Sequence, residues 1–463
     1  MKPEQYSTQG KKILSFILII AAVLAILSRI LYPLNQVQII CLVIFLSFLT
    51  GSLLFWQYRN AIALIGLSLL LFTNVLDIPH LVQFASLDII LFLVGMMIIL
   101  GYLEKEGCFD YLIKFAIQPF TARPTLVVAI LLFMGTITAA LLDEVTSILI
   151  MSAILLKVLK EYGVEGEKVL PFIMFLVFTT NIGSSALPVG NPIGVLIAFK
   201  AGFTFLDFLR WSFPLALLNS IIIVGIGIFY LRLTTDLCAW CLLPVQVSEG
   251  SMPLHRHTKT GLIVFTVLLL GFVLQSPIEH ALSLPKNILF LGIPLLMAGI
   301  VLFMGRFEAH ELVEHVDWWT LLYFICLFAT VGSLQYTGIT GKISSLVSGF
   351  SGDTVLILLL VGLLISGLTA FMDNILAVAT VAPIVESFQN ELLVKPLWWI
   401  MLVGGTYFGN ATPIGSTANI VAMGFIEKNK CGTVSMGSWI KMGTLISFVT
   451  FTIAFVLLYL QFF

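Results

Sequence analysis

The chain has 463 residues, of which 23 are basic and 24 are acidic, so only 10% of its side chains carry a formal charge. A soluble domain has nearer ~25% charged residues, whereas this chain is 59% hydrophobic with a mean hydropathy of +1.09. A water-facing surface of this composition would expose large apolar patches. The composition therefore excludes a soluble enzyme, a nucleic-acid-binding protein and a disordered scaffold, and indicates a polytopic membrane protein.

The N-terminal segment superficially resembles a signal peptide, because Lys11 and Lys12 precede an apolar run that ends at Leu31. The run is longer than the ~7–15 residues of a typical signal-peptide core. We therefore expect it to be the first transmembrane helix. Its flanking lysines predict a cytoplasmic N-terminus, and we expect the plasma (bacterial inner) membrane as the location.

Apolar runs of ~20 residues predict helices that cross the bilayer. The uninterrupted runs fall near 13–31, 37–55, 61–76, 87–103, 212–231, 260–275, 287–304, 318–337 and 442–462. Two further segments, 170–200 and 397–426, are apolar but contain Pro and Gly in their middles. These residues break helices, so we predict two broken helices.

Segments 124–157 and 354–388 are too long for one span and too short for two. Lysines and an arginine flank the first of them on both sides, and the positive-inside rule then places both ends in the cytoplasm. We therefore predict two re-entrant hairpins that enter from opposite sides. The expected fold is an all-α polytopic membrane protein with about 11 transmembrane helices, two re-entrant hairpins and two broken helices.

Two short motifs occur twice in the same order. Residues 139–145 align without gaps on 369–375, and residues 186–191 match 411–416. With opposite charge bias at their flanks, they predict an inverted-topology repeat, which is typical of secondary transporters with a site at the repeat interface. The expected segments are N-terminal scaffold helices (1–86), repeat 1 (87–232), a central cytoplasmic loop with two linking helices (233–316) and repeat 2 (317–463).

Three carboxylates lie at the predicted hairpin tips: Asp143 and Glu144 in the first, and Asp373, beside Asn374, in the second. An Asp at a membrane-helix centre costs at least ~2.5 kcal/mol, so such groups need water, a cation, a proton or a helix N-terminus. We predict that Asp143 and Asp373 carry a proton or a cation, with a possible Na⁺ site there and at the helix breaks, and that Glu144 tunes the first tip. Capping of the following helix is the structural alternative, and the two roles are compatible.

The helix breaks free backbone carbonyls, which must be satisfied by each other, by water or by an ion. Half-helix C-termini suit Na⁺, and half-helix N-termini with hydroxyls suit an anion; a proline kink lined by small residues is the structural alternative. The predicted substrate- and ion-binding residues are Asp143, Glu144, Thr146, Asn181, Ser184, Ser185, Gly190, Asn191, Asp373, Asn374, Asn410, Thr412, Gly415, Ser416, Thr417 and Asn419.

The first hairpin tip reads Leu-Leu-Asp-Glu-Val-Thr, and the first helix break reads Thr-Asn-Ile-Gly-Ser-Ser-Ala-Leu-Pro-Val-Gly-Asn-Pro. The second tip and the second break have the similar sequences Phe-Met-Asp-Asn and Gly-Asn-Ala-Thr-Pro-Ile-Gly-Ser-Thr-Ala-Asn. Together these motifs resemble the ion transporter superfamily over roughly 85–463. That superfamily includes arsenite permeases, the melanosomal P protein, NhaD-type sodium/proton antiporters, citrate transporters and divalent-anion/sodium symporters. The resemblance implies a scaffold with a mobile transport domain, usually dimeric, that works by an elevator-like motion.

In the symporter branch, the resemblance implies a Ser-Asn-Thr at each tip that helps to hold Na⁺ and carboxylate. The corresponding positions here are 143–145 and 373–375, and neither keeps that triplet. The related permeases commonly carry Asp-Asn at the first tip, where Glu144 replaces the Asn. The additional acid favours proton coupling or a cation site.

We therefore predict a citrate-transporter-like secondary active transporter that moves a small anion or oxyanion (a carboxylate or arsenite-like species), coupled to Na⁺ or H⁺. A Na⁺/H⁺ antiporter is the first alternative and a passive ion channel the second. No catalytic motif indicates an enzyme, and no cofactor beyond the coupling ion and no nucleic acid is expected. The expected partners are the transported ion, membrane lipid and a second copy of the chain in a homodimer. Cys238 and Cys241 precede His255 and His257 and loosely suggest a metal site on the cytoplasmic loop. The spacing of the two histidines differs from that of structural zinc sites and disfavours such a site.

Overall fold

A computed structural model describes Val23, Ile26 and residues 33–120, 123–234, 255–304, 309–350, 353–388 and 391–462. The expected first span at 13–31, apart from Val23 and Ile26, lies outside these residues. So do Cys238 and Cys241. Within the described residues the chain is helical and contains no β-strand.

The helices follow one another with short connections. In chain order they are α1 Gln36–Leu54, α2 Arg59–Phe72, α3 Ile78–Phe84, α4 Leu87–Lys105, α5 Cys108–Ile117, α6 Pro124–Leu141, α7 Glu144–Glu161, α8 Leu170–Gly183, α9 Pro192–Ala201, α10 Phe205–Thr234, α11 Arg256–Ala281, α12 Ile288–Phe303, α13 Ala309–Glu314, α14 Trp318–Tyr336, α15 Ile339–Phe350, α16 Thr354–Phe371, α17 Asn374–Glu386, α18 Glu391–Tyr407, α19 Thr417–Lys428 and α20 Met436–Phe462.

The all-α membrane fold is confirmed. Eight helices within the described residues are long and apolar enough to cross a membrane, and shorter apolar helices accompany them. Both hairpins are present as helix pairs, α6–α7 and α16–α17, and the first continues to Glu161, beyond the expected end at 157. Both broken helices are present as well: α8 and α9 flank residues 184–191, and α18 and α19 flank residues 408–416.

One expected span is shorter than the sequence indicates. The apolar run 61–76 forms α2, which has 14 residues and is therefore about 21 Å long. The helix ends at Phe72, and Asn74 then adopts a left-handed backbone conformation with φ 53°. Asn tolerates this conformation better than most residues, so a turn ends the helix before the apolar run is exhausted.

The chain forms two compact units. The first comprises Met1–Ile90, Asp317–Ile357 and Ala379–Val394. In it α14 packs against α1, α2 and α3. The Arg59 guanidinium lies over the ring of Trp56, 4.4 Å from its centroid, and also faces Tyr323. Cation–π contacts of this kind hold a charge against apolar surface.

The second unit comprises Leu91–Val316, Leu358–Val378 and Lys395–Phe463, and it includes both hairpin tips and both helix breaks. Here α6 packs along α8, α10 packs against α6 and α8, and α7 packs against α19. Ring contacts among five phenylalanines join α4, α9, α10, α11 and α12; these are Phe92, Phe199, Phe205, Phe272 and Phe290. All candidate site residues belong to this unit.

Candidate functional site

The first hairpin turns at Leu142 and Asp143, directly before α7. Asp143 caps that helix, because its Oδ1 accepts hydrogen bonds from the backbone N–H groups of Val145 (2.8 Å) and Thr146 (2.9 Å). A carboxylate at this position satisfies unpaired backbone donors and interacts favourably with the helix dipole. Asp143 therefore makes the contacts expected of a helix cap, and Thr146 contributes its backbone N–H to them.

Glu144, the next residue, is buried, with 4% of its surface exposed. Its Oε2 accepts a hydrogen bond from Ser184 Oγ, and its Oε1 accepts from Asn374 Nδ2 and Ser416 Oγ, each at 3.2 Å. These donors belong to the first helix break, the second tip and the second helix break. One carboxylate thus contacts all three of the other motifs that the sequence singles out.

The second tip carries Asp373 at the position that corresponds to Asp143. Its Oδ1 accepts from the backbone N–H of Ile375 (3.0 Å), and its Oδ2 accepts from Thr417 Oγ1 (3.1 Å) at the start of α19. Asp373 also interacts electrostatically with Glu144. Two carboxylates that interact in this way repel each other when both are ionised, which favours protonation of one of them or a bound cation.

The first break connects to Glu144 through Ser184. The Asn191 side chain caps α9, accepting from Gly194 N at 2.7 Å, and its Nδ2 donates to Ser184 Oγ at 2.8 Å. The Ser184 hydroxyl has one proton and faces two acceptors, Glu144 Oε2 and the backbone oxygen of Asn181 at 2.9 Å. The hydroxyl therefore donates to only one of them at a time.

The second break repeats this arrangement with Ser416. Its Oγ accepts from the backbone N–H of Ala418 at 3.1 Å and so caps α19. The same hydroxyl faces Glu144 Oε1 at 3.2 Å and Asn181 Oδ1 at 3.1 Å. Its one proton again has two possible acceptors, and Glu144 is one of them.

Three buried asparagines tie the two breaks together. Asn181 Nδ2 donates to Asn410 Oδ1 (2.7 Å) and to Asn419 Oδ1 (2.8 Å). Asn419 Nδ2 in turn donates to the backbone oxygens of Gly409 (2.7 Å) and Thr412 (2.8 Å). Side-chain amides thus satisfy carbonyls that the interrupted helix leaves without an intrahelical partner.

Glycines allow close backbone approach at matching places in both breaks. A Cβ at Gly190 would lie 2.5 Å from the Ser184 carbonyl oxygen and 2.7 Å from that of Ala139. A Cβ at Gly415 would lie 2.7 Å from the carbonyl oxygen of Gly409 and 3.0 Å from that of Thr369. Ala139 and Thr369 occupy the same position in the two aligned tip motifs. Both breaks therefore pack against the preceding hairpin arm in the same way.

The predicted residues divide by their contacts. Ser184, Asn374 and Ser416 donate directly to Glu144, while Asn181 and Asn191 are one hydrogen bond further away. Others make contacts within or beside their own break: Ser185 Oγ donates to Ile182 O at 2.7 Å, and Thr412 Oγ1 donates to Ala370 O.

Three residues that hold the breaks in place lie outside the sequence motifs and were not predicted. Trp439 in α20 donates from Nε1 to the Asn410 carbonyl oxygen at 3.1 Å, and Ser447 donates to that of Tyr407 at 2.9 Å. Ser212 in α10 donates to the Ser185 carbonyl oxygen at 2.6 Å. Single Ser and Trp residues in long apolar helices carry no spacing signal that separates this role from ordinary packing.

Two hairpin tips and two helix breaks that meet at a buried carboxylate, in a chain of apolar helices, define a multi-pass membrane transporter. The family model described as "Citrate transporter" (CitMHS) matches residues 53–404. An uncharacterized transporter of Mycobacterium tuberculosis is 30% identical over 387 residues, which cover 81% of this chain and 86% of the relative. The chain therefore belongs to the citrate transporter family.

More distant proteins agree with this assignment. The P protein of Mus musculus is 25% identical over 437 residues, covering 77% of this chain and 52% of that protein. The crystal structure of the YdaH transporter of Alcanivorax borkumensis superimposes with a TM-score of 0.54 at 18% identity, over 84% of this chain and 87% of the other. The predicted superfamily is thereby confirmed, and the family and its relatives indicate a transporter, not an enzyme.

Proposed function

We propose that this protein is a secondary active transporter that moves a small anion or oxyanion, coupled to a gradient of H⁺ or Na⁺, with Glu144 as the coupling group. The observation that carries the proposal is the position of Glu144. It is a buried carboxylate that hydrogen-bonds to both helix breaks and to the second tip. Intramembrane acids in such places are typical of proton and ion relays.

The contacts of Glu144 suit both of its protonation states. When the carboxylate is ionised, it accepts hydrogen bonds from Ser184, Ser416 and Asn374. When it is protonated, it donates its new proton to a serine oxygen, and that serine turns its own proton to its second acceptor, the Asn181 carbonyl or side-chain oxygen. The site therefore accommodates a proton without leaving a buried donor or acceptor unpaired, which would be costly.

Sodium coupling, including Na⁺/H⁺ antiport, is the second candidate. It is favoured by the third acid, Asp373, which interacts electrostatically with Glu144 and accepts a hydrogen bond from Thr417. A cation between Asp373 and Glu144 would relieve their repulsion. Hydroxyl and amide oxygens of Thr417, Ser416 and Asn374 are further hard ligands of the kind that Na⁺ prefers.

An anionic cargo would be held by the N-termini of α9 and α19, each of which begins directly after a break. Helix N-termini offer backbone N–H groups and a positive dipole end to an anion. In this proposal the coupling cation or proton lowers the negative charge at Glu144 and Asp373, so that the anion binds only to the loaded site. Cargo and coupling ion then move together.

We further propose that the two halves form an inverted-topology repeat and move by an elevator-like mechanism in a homodimer. The matching caps Asn191 and Ser416 and the matching backbone contacts of Gly190 and Gly415 support the repeat. A cytoplasmic N-terminus in the plasma membrane is part of the same proposal. Thiol labelling of single-cysteine variants tests the topology: a cysteine at Lys157 should react from the cytoplasm, and one at Asn390 from outside.

Reconstitution into liposomes tests the function. Citrate, other carboxylates and arsenite are each offered outside, and uptake is followed with an imposed H⁺ gradient, an imposed Na⁺ gradient or neither. Accumulation of one anion above its outside concentration, dependent on one gradient, supports the proposal. Downhill flux that neither gradient affects would identify a channel. Cation-dependent proton release without any anionic cargo would identify an antiporter.

A further inference from the structure

An apolar groove lies in the first unit, between α1 and α2, and holds a cavity of about 270 Å³. Its large side chains are all apolar: Ile44, Phe48 and Phe55 on the α1 side, and Ile62, Ile65 and Leu69 on α2. Ile65 and Leu69 are exposed, so the groove opens on the surface. Since α1 is apolar enough to cross a membrane, this surface faces lipid.

The guanidinium of Arg59 lies at one end of this groove. Arg59 begins α2 three residues before Ile62, and residues at this spacing are neighbours on a helix surface. Phe48 in the groove contacts the ring of Tyr323, with centroids 6.1 Å apart, and the guanidinium faces the same ring at 5.1 Å. The groove and the cation are therefore adjacent.

Arg59 is buried, with 9% of its surface exposed, and it lacks an anionic partner. A guanidinium has five N–H donors, but within the described part of the chain only Nη2 forms a hydrogen bond, to Thr320 Oγ1 at 3.2 Å. The carboxylate of Asp317 is used elsewhere, because its Oδ1 accepts from the backbone N–H of Thr320 at 3.0 Å and caps α14. Buried charges are normally paired, so this position calls for an anion.

Aromatic residues indicate that Arg59 lies near the membrane–water boundary. Trp318 and Trp319 begin α14 and are exposed, and Asn60 Nδ2 donates to the Trp319 carbonyl oxygen at 2.7 Å. This bond holds the start of α2 beside the start of α14. Tryptophan is enriched at the level of the lipid headgroups, where the phosphates of a bilayer lie.

We propose that the groove binds one anionic phospholipid, with its phosphate at Arg59 and an acyl chain between α1 and α2. Guanidinium and phosphate form bidentate, charge-assisted hydrogen bonds. The Thr320 hydroxyl proton has no acceptor among the described residues, so it can donate to a further phosphate oxygen. Basic pockets between membrane helices are typical sites for anionic headgroups, and a zwitterionic lipid would add a second cation beside Arg59.

Native mass spectrometry of the detergent-purified protein tests the headgroup contact. Phosphatidylglycerol, which is anionic, and phosphatidylcholine, which is zwitterionic, are titrated separately. We expect the wild type to bind one phosphatidylglycerol in preference to phosphatidylcholine. Arg59→Gln should weaken phosphatidylglycerol binding about tenfold, because it removes hydrogen bonds to a charged group. Arg59→Lys keeps the charge and should keep a preference for the anionic lipid; loss of that preference in Arg59→Lys and Arg59→Gln alike would point to a structural role only.

Arg210→Gln is the matched control for the charge. Arg210 also lies over a tryptophan, 5.0 Å from the ring centroid of Trp211, but it is exposed and does not border the groove. The substitution should leave the binding of both lipids unchanged. An equal loss of phosphatidylglycerol binding in Arg210→Gln and Arg59→Gln would contradict a specific site.

Filling the groove tests the acyl-chain contact. Ser47 lines the cavity and donates within α1, to Val43 O at 2.7 Å. Ser47→Leu should weaken both lipids by a similar factor, because it occupies the space of the chain. Ser68→Leu is its control, since Ser68 makes the same kind of bond, to Leu64 O at 2.8 Å, on the exposed side of α2 outside the groove. Unchanged lipid binding in Ser47→Leu would exclude the groove.

Two further measurements distinguish other occupants. If inorganic phosphate binds as tightly as phosphatidylglycerol and with the same dependence on Arg59, the site takes a free anion and the lipid assignment is wrong. In an experimental map of the protein in phosphatidylglycerol nanodiscs, we expect elongated density in the groove that ends at Arg59. Protein side chains in that place, from the same chain or from a second copy, would overturn the proposal. None of these readouts measures transport, so their failure is distinguishable from failure of the proposed function.

Discussion

Asn374 Nδ2 donates a hydrogen bond to Glu144 Oε1 at 3.2 Å, although the two residues are 230 positions apart in the chain. They occupy the same place in the two hairpin tips, directly after Asp373 and Asp143. The tips are thus alike in sequence but different in charge where they meet. A carboxylate on one side and an amide on the other form a hydrogen bond when Glu144 is ionised and when it is protonated.

Asn374→Asp should shift the pH dependence of transport. The change places a second carboxylate opposite Glu144, and like charges at this distance favour the protonated form. We expect the pH of half-maximal transport to rise by about one unit or more, measured as initial uptake in liposomes across a pH series. Asn429→Asp, at the exposed end of α19, serves as the control. Coincident pH profiles for Asn374→Asp and the wild type would contradict this contact.

Two substitutions of Asp143 separate its capping role from a role of its negative charge. Asp143→Asn keeps an Oδ1 acceptor for Val145 and Thr146, so the unfolding midpoint should stay close to that of the wild type. Asp143→Ala removes the cap and should cost about 0.5–2 kcal/mol of stability. If the charge takes part in coupling, the stable Asn variant should still lose coupled transport. Wild-type rates and coupling in Asp143→Asn would restrict this residue to the cap.

Asp373→Asn should abolish or uncouple transport while the protein still inserts into the membrane. The substitution keeps an oxygen for the Ile375 N–H but removes the charge that acts on Glu144. Uptake driven by H⁺ and by Na⁺ gradients is compared with membrane insertion, measured as resistance to extraction by alkaline carbonate. A variant that transports and couples as the wild type does would exclude Asp373 from the site.

Gly190→Ala tests the close backbone approach at the first break. Its Cβ would lie 2.5 Å from the Ser184 carbonyl oxygen, so the break must shift. Overpacking of this kind typically costs about 1–3 kcal/mol, and a displaced Ser184 should also reduce transport. Gly424→Ala in α19, where a Cβ would meet nothing within 4 Å, is the matched control. Equal unfolding midpoints for the two variants would contradict the described packing.

Much of the fold is predictable from local sequence signals. Proline together with a nearby glycine marks the two breaks, at Pro188 with Gly190 and at Pro413 with Gly415. Proline alone does not, because Pro214, Pro277 and Pro294 lie inside continuous helices. Apart from 61–76, the expected spans within the described residues coincide with apolar helices, which apolar run length predicts. The end of α2 at Phe72 was not predictable from hydropathy, since a left-handed Asn74 within an apolar run stops the helix there.

The roles of the two adjacent acids were harder to predict. Asp143 is the residue directly before α7 and caps it, whereas Glu144 is the first residue of the helix and is buried. Helix starts are uncertain by one or two residues in sequence, which leaves their assignment open. The donors to Glu144 are 40, 230 and 272 positions away, and no local pattern encodes such contacts.

The central claim is that the Glu144 carboxylate couples anion uptake to a cation gradient. The most direct test compares wild-type protein, Glu144→Gln and the control Glu161→Gln, which lies at the exposed end of the same helix, in liposomes with an imposed H⁺ or Na⁺ gradient. We predict that the wild type and Glu161→Gln accumulate the anion and that Glu144→Gln does not, although it folds. Gradient-driven accumulation by Glu144→Gln at the wild-type level would contradict the account.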